Sequence, residues 1–281
     1  MSIWARVKPQ TTFLSRWLNI PGVRGLAPAF ALAPAPPPCR LGAQAERDIM
    51  RVAIVENTRI THHGQVGVAL HEQAARIDLY KPWADGRLPE LGDHDALVVF
   101  GGEQSARSDD THPYLPALAD LMRETAAMDR AVLGICLGAQ ILARGHGAEN
   151  QLGAAPEFGW RDVTQTEAAK TDPVLSGLPA SFPIFQWHSD TFTLPDTAAR
   201  LASSPAAQNQ CFRIGRATYG MQFHFEASRP MVADWTREFA PLTDRLEPGW
   251  SGGGHSTAAA RFGARADAAG LAIARAWVAL I

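Results

Sequence analysis

The chain has 281 residues, 46% of them apolar and 19% charged, a globular composition sufficient for one large domain or two modest ones. With 26 basic against 28 acidic side chains the net charge is −2, so no basic excess points to nucleic acid or an anionic membrane surface as a partner. No run approaches the roughly 18 uninterrupted apolar residues of a membrane-spanning helix. Three cysteines, Cys39, Cys136 and Cys211, are too few and odd in number for a disulfide framework, which predicts a reducing, cytoplasmic setting.

The charge is unevenly spread. Residues 1–45 carry Arg6, Lys8, Arg16, Arg24 and Arg40 without a single acid, and this segment runs into an Ala/Pro-rich stretch ending at Pro38. Prolines cannot donate to a sheet ladder, so residues 1–49 are expected to be a disordered extension, with Arg and scattered Ser only weakly suggesting a targeting role. The fold is expected to start with the strand at Val52–Val55. A helix over 65–75 follows, then a strand at Leu97–Phe100, a helix over 114–128 and a strand at Ala131–Ile135. Near-continuous apolar strands alternating with amphipathic helices predict an α/β protein with a doubly wound, mostly parallel sheet flanked by helices.

Two of these strands end in glycine-rich turns. Phe100-Gly-Gly-Glu-Gln-Ser105 would allow close backbone approach at the sheet edge. Gly134-Ile-Cys136-Leu-Gly138 has the Gly-x-nucleophile-x-Gly spacing of a nucleophile elbow, in which the turn is too tight for side chains two residues either side of the nucleophile. Such a turn holds its residue at the carboxyl end of a strand, where open α/β sheets bind ligands, and at a helix N-terminus, whose partial positive charge favours thiolate over thiol. A free cysteine after a strand is also an ordinary core residue. The paired glycines are what favour a chemical role for Cys136.

Short strands with Pro, Gly and Asn turns are predicted over 160–223, around Trp160–Thr164, Ile184–Trp187, Arg200–Ser203, Cys211–Ile214 and Tyr219–Phe223. In Phe223-His-Phe-Glu226 an extended backbone would put His224 and Glu226 on one face and the phenylalanines on the other. His224 is then a candidate base for Cys136, and Glu226 a candidate to fix its tautomer and support the imidazolium. Backbone N–H groups of Leu137 and Gly102 are candidate donors to a developing oxyanion. The adjacent His62 and His63 point in divergent directions, and no Cys/His spacing resembles a zinc site. Residues 241–281 read as a Gly/Ser linker followed by a packing helix, with Leu271, Ala274, Val278 and Ile281 at helical spacing.

Taken together, Gly101-Gly102, Gly134-Ile-Cys136-Leu-Gly138-Ala-Gln140 and Gln222-Phe-His224-Phe-Glu226 resemble the class I glutamine amidotransferase family in their expected order, over roughly 51–228. The resemblance implies a flavodoxin-like amidotransferase domain over 50–240, similar to stand-alone GMP-synthase-like proteins. It implies a Cys136-His224-Glu226 triad that hydrolyses the glutamine side-chain amide through a γ-glutamyl thioester without metal or organic cofactor. It implies that Gln140 helps hold the substrate amide and that Glu157–Trp160 and Trp187–Asp190, with His188 and Asp190, line or support the cleft. The chain departs from the family where Glu103 replaces the proline common after the second glycine. Ser251-Gly-Gly-Gly-His-Ser256 superficially resembles the loop of ATP pyrophosphatases, but His255 stands where that loop has Asp and no buried strand precedes it. The resemblance thus implies glutamine or another γ-glutamyl amide or peptide as substrate, with ammonia passing to a separate synthetase or acceptor protein in the first case. A non-catalytic regulatory module of the same fold is the remaining alternative.

Overall fold

The computed structural model describes residues 49–281; the expected extension at 1–49 lies almost wholly outside them. Among these residues nine strands form one sheet, and two more, distant in sequence, pair as a small antiparallel ribbon. In chain order the strands are β1 (Arg51–Val55), β2 (Arg76–Tyr80), β3 (Ala96–Val99), β4 (Ala131–Ile135), β5 (Asn150–Gln151), β6 (Glu157–Gln165), β7 (Ser181–His188), β8 (Thr191–Phe192), β9 (Ala198–Ser203), β10 (Cys211–Ile214) and β11 (Thr218–Met221). The helices are α1 (Gly64–Glu72), α2 (Pro82–Asp85), α3 (Leu115–Ala127), α4 (Leu137–Gly145), α5 (Arg229–Glu238), α6 (Ala240–Leu246), α7 (His255–Ala258) and α8 (Ala264–Val278).

The large sheet runs β2-β1-β3-β4-β11-β10-β9-β6-β7. Its first five strands are parallel, and β10, β9, β6 and β7 continue it antiparallel. Alternation along β1 explains the layers. Val52 and Ile54 pack with Val66 and Leu70 of α1 and Ile273 and Trp277 of α8 on one face. Ala53 and Val55 pack with Leu115 and Leu118 of α3 and Ile141 and Leu142 of α4 on the other. A period of two in the strand thus feeds two separate cores, and strands covered on both faces have no polar side.

Several boundaries differ from the sequence reading. β2 was not expected: its alternating Arg76-Ile-Asp-Leu-Tyr80 lies at the sheet edge, where one side faces water and the pattern is diluted. The first helix accordingly stops at Glu72 rather than 75. The third starts at Leu115 with Pro116 in its first turn, while Pro113 lies in the turn before it. The region 241–254 is not an open linker. It holds α6 and a π-helical turn over Trp250–Gly254, tied down by Ser251 donating its N–H to Asp244 and by a buried Trp250. A second π-helical turn, Ala259–Gly263, joins α7 to α8. β11 ends at Met221, so His224 sits beyond it in an isolated antiparallel bridge to Phe185, and Glu226 in the turn that follows.

Candidate active site

Parallel register brings the two glycine-rich turns together. Val99 pairs with Gly134, which carries Gly101 past the end of β3 opposite Cys136 past the end of β4. On the other flank Met221 pairs with Ile135, so the chain leaving β11 passes beside the same point. Cys136 joins β4 directly to α4 and adopts φ +52, ψ −109, a conformation that side chains rarely tolerate. Its N–H donates to Met221 O at 2.8 Å, and its carbonyl accepts the N–H groups of Ala139 and Gln140, starting the helix. The flanking glycines are required by contact rather than by backbone angle: a Cβ on Gly134 would strike the Gly138 carbonyl, and one on Gly138 the Val99 carbonyl. Cys136 is 7% exposed, and its sulfur lies 3.7 Å from the carbonyl of Trp187.

His224 is held from three directions. Its N–H donates to Phe185 O at 2.8 Å, its ring meets Trp235 edge to face, and Nδ1 lies 2.7 Å from Glu226 Oε1. Although the segment is a single bridge to Phe185 followed by a turn, Phe223 and Phe225 both point into the core and His224 and Glu226 face the other way. A Cβ placed on Gly101 would lie 3.3 Å from His224 Cε1 and 3.4 Å from Cys136 Cβ, so imidazole, thiol and glycine turn converge. Burial by itself disfavours the imidazolium. The Glu226 charge, the neighbouring Cys136 sulfur and hydrogen bonds to both outweigh burial and raise His224 well above its ordinary value.

These residues open onto a cleft of about 1130 Å³. Gly102 and Leu137 line it side by side, a Cβ on Gly102 lying 3.0 Å from Leu137 Cδ2. Gln140 is buried beneath, its Nε2 donating to Gln222 Oε1 at 3.2 Å and to the Asp190 carbonyl at 3.4 Å. His188 and Asp190 line the cleft but are engaged by protein partners. His188 contacts Asp190 O and Gln186 Oε1, with Glu157 3.4 Å away, while the Asp190 carboxylate accepts the Gly153 N–H at 2.8 Å. The adjacent His62 and His63 diverge, onto Asp234 and Glu56 respectively. Trp187, expected along the cleft, forms an aromatic wall with Trp235 and Phe239, which sequence reasoning missed; the rings meet edge to face at 5.5–5.7 Å. Trp235 and Phe239 stand one helical turn apart at the end of α5, whereas Trp187 comes from β7, and no local spacing relates it to them.

The comparisons with known proteins agree on a mostly parallel sheet flanked by helices. The Glutamine amidotransferase class-I profile matches residues 52–238, and the chain belongs to that family. Among its relatives, the glutamine amidotransferase-like protein YfeJ of Salmonella typhimurium is 31% identical over 180 residues, spanning 58% of this chain and 75% of that protein. Gamma-glutamyl peptidase 3 of Arabidopsis thaliana is 30% identical over 57% of this chain and 67% of its own length. A glutamine-hydrolyzing GMP synthase subunit of Natronomonas pharaonis is 30% identical over 63% of this chain and 89% of its own. The crystal structure of a glutamine amidotransferase from Thermotoga maritima superposes with a TM-score of 0.71 at 25% identity, covering 82% of this chain and 97% of that one. No helix among the described residues is long and apolar enough to cross a membrane.

Proposed function

We infer that the chain hydrolyses a γ-glutamyl amide, glutamine first among them, with Cys136 as nucleophile, His224 as base and Glu226 as its orienting carboxylate. The observation that carries this reading is the convergence on one cleft of a cysteine at positive φ and a buried His–Glu pair. A strained elbow presents the sulfur without burying it behind its own helix. With Glu226 on Nδ1, the other ring nitrogen serves the thiol.

The Cys136 thiolate attacks the carboxamide carbon, and the carbonyl electron pair moves onto oxygen. The Leu137 and Gly102 N–H groups stabilise that oxyanion. The C–N bond breaks as His224 delivers its proton to the departing nitrogen, which leaves as ammonia. A water molecule then gives a proton to the imidazole and adds to the thioester carbonyl. Collapse releases glutamate and regenerates the thiolate–imidazolium pair. Gln140 steadies the substrate amide, and His188 and Asp190 brace the cleft around it.

Similarity to a GMP synthase subunit supports transfer of the ammonia to a separate acceptor protein. One observation favours a second reading, hydrolysis of a larger γ-glutamyl amide or peptide. A cleft of about 1130 Å³ with an aromatic wall is of the size that holds drug-sized ligands, whereas glutamine is much smaller. Similarity to a gamma-glutamyl peptidase points the same way. The test is a product assay for glutamate and ammonia or amine, with glutamine set against a panel of γ-glutamyl amides. Turnover of glutamine with the highest kcat/KM supports the first reading, and preference for a bulky amine supports the second. No turnover of any member refutes both and leaves the regulatory module.

A further inference from the structure

The glycine turn after β3 is held by a ring of side chains around it. Asn57, just beyond β1, donates from Nδ2 to the carbonyl of Phe100 at 2.8 Å, pinning the peptide plane that leads into Gly101. Gln104 folds back over the same turn. Its Nε2 donates to the Asn57 backbone carbonyl at 3.1 Å and to the Tyr114 hydroxyl at 2.7 Å. Tyr114 in turn donates its hydroxyl hydrogen to Asn57 Oδ1 at 3.1 Å, closing the circuit. Phe100 itself is tied to β1 through its N–H on Val55 O.

The donor–acceptor assignment closes in one direction only. Backbone carbonyls accept, so Asn57 must present Nδ2 to Phe100 and keep Oδ1 for the tyrosine, and both amide hydrogens of Gln104 are used. Asn57 and Tyr114 are 3% and 7% exposed, so breaking the ring would leave buried polar groups unpaired. The ring also bears directly on Gly102: a Cβ there would lie 2.6 Å from Gln104 Oε1 and 2.9 Å from Asn57 Cβ. The Cβ position of Gly102 is therefore closed off by two members of the ring and by Leu137.

We propose that Asn57, Gln104 and Tyr114 form a positioning lattice that fixes the Gly102 N–H toward the oxyanion. Gln104, bonded to both other members, is its keystone. The proposal rests on the reading of Cys136 as an acyl-transfer nucleophile. None of the three side chains touches the reacting atoms. Their effect is confined to a donor that matters when negative charge develops, so their loss should lower kcat and spare substrate binding.

The test compares wild type with Gln104→Leu and Tyr114→Phe, the latter removing a single oxygen. Because loss of a whole oxyanion donor costs about 10²–10³ in kcat, its misalignment in Gln104→Leu should cost about 10–100-fold. Tyr114→Phe should shift kcat in the same direction by a smaller factor. KM, the pH dependence of kcat/KM and the rate at which iodoacetamide alkylates Cys136 should each stay within about twofold, since none of them draws on the oxyanion donor. Folding is monitored by thermal melting, and if Gln104→Leu does not fold the Tyr114→Phe comparison decides. A folded variant with kcat within twofold of wild type overturns the lattice, as does a loss expressed in KM or in alkylation. Wild-type protein inactive on every γ-glutamyl amide overturns the functional reading and the lattice with it, whereas an active wild type with unaffected variants overturns the lattice alone.

Discussion

Nδ1 of His224 stands 2.7 Å from Oε1 of Glu226, and the two side chains are only 9% and 2% exposed. A carboxylate this close to a buried imidazole decides both its tautomer and its charge. Burial alone would keep the ring neutral; the Glu226 charge is the strongest influence in the opposite direction.

Glu226→Gln should therefore lower the His224 titration, followed by NMR of the ring protons, and reduce turnover by up to about 10⁴, the cost of losing the equivalent carboxylate in a serine hydrolase. The sign of the stability effect follows from linkage. His224 binds its proton more tightly folded than unfolded, so its contribution is fully present below the ordinary value of 6.5 and is lost as pH rises through the folded value. In urea melts the advantage of wild type over Glu226→Gln should be widest near pH 6 and narrow in alkali. A gap that widens with pH would contradict this coupling.

Cys136→Ala should lower turnover by about 10⁴–10⁶. The backbone angle separates a second effect from the chemistry. Residues in such sparsely populated conformations cost about 1–3 kcal/mol, and glycine escapes most of that while losing about 0.5–1 kcal/mol to chain entropy. Cys136→Gly should then melt a few degrees above Cys136→Ala, both being inactive. Equal melting temperatures would mean that the turn carries no strain.

Gly138→Ala should destabilise the fold by about 3 kcal/mol or more, because the added methyl meets the Val99 carbonyl rather than a movable side chain. Gly147, which has open space around its Cβ position, lacks that clash, though its φ of +83 still disfavours other residues. A Gly138→Ala protein with wild-type melting behaviour would show that the strand–helix packing relaxes freely.

Cys211 is the internal control for the thiol. It is completely buried on β10, and burial, with the Asp172 charge adding to it, pushes its thiol well above the ordinary value. Iodoacetamide on native protein should label Cys136 and leave Cys211 untouched, as read by peptide mass spectrometry. Cys211→Ala should leave turnover unchanged while costing about 1–2 kcal/mol for the small cavity. Preferential labelling of Cys211 would reverse the roles assigned to the two sulfurs.

The elements legible in the sequence are those whose signals are short-range. β3 and β4 appear as unbroken apolar runs because both their faces are buried, and the spacing Gly134-x-Cys136-x-Gly138 encodes a turn by the side chains that it omits. His224 and Glu226 are readable as a pair because two residues separate sides of the backbone, and Phe223 and Phe225 fill the core as that alternation requires. β2 was illegible because an edge strand shares its alternation with exposed loops, and 241–254 looked like a linker because its Gly/Ser content conceals a buried Trp250.

Sequence alone thus determined the chemistry that each turn can offer: a thiol at a tight elbow, an imidazole two residues from a carboxylate, and glycines at the end of a strand. Tertiary structure decided which of these groups meet. Cys136 and His224 are joined through the pairing of β4 with β11, and Asn57 bonds to Phe100 and Tyr114 across separations of 43 and 57 residues. Backbone sterics and side-chain alternation act over a few bonds and leave a local imprint. Strand order, the meeting of Trp187 with Trp235 and Phe239, and the ring around Gly102 arise from packing between distant segments, whose partners no spacing along the chain identifies.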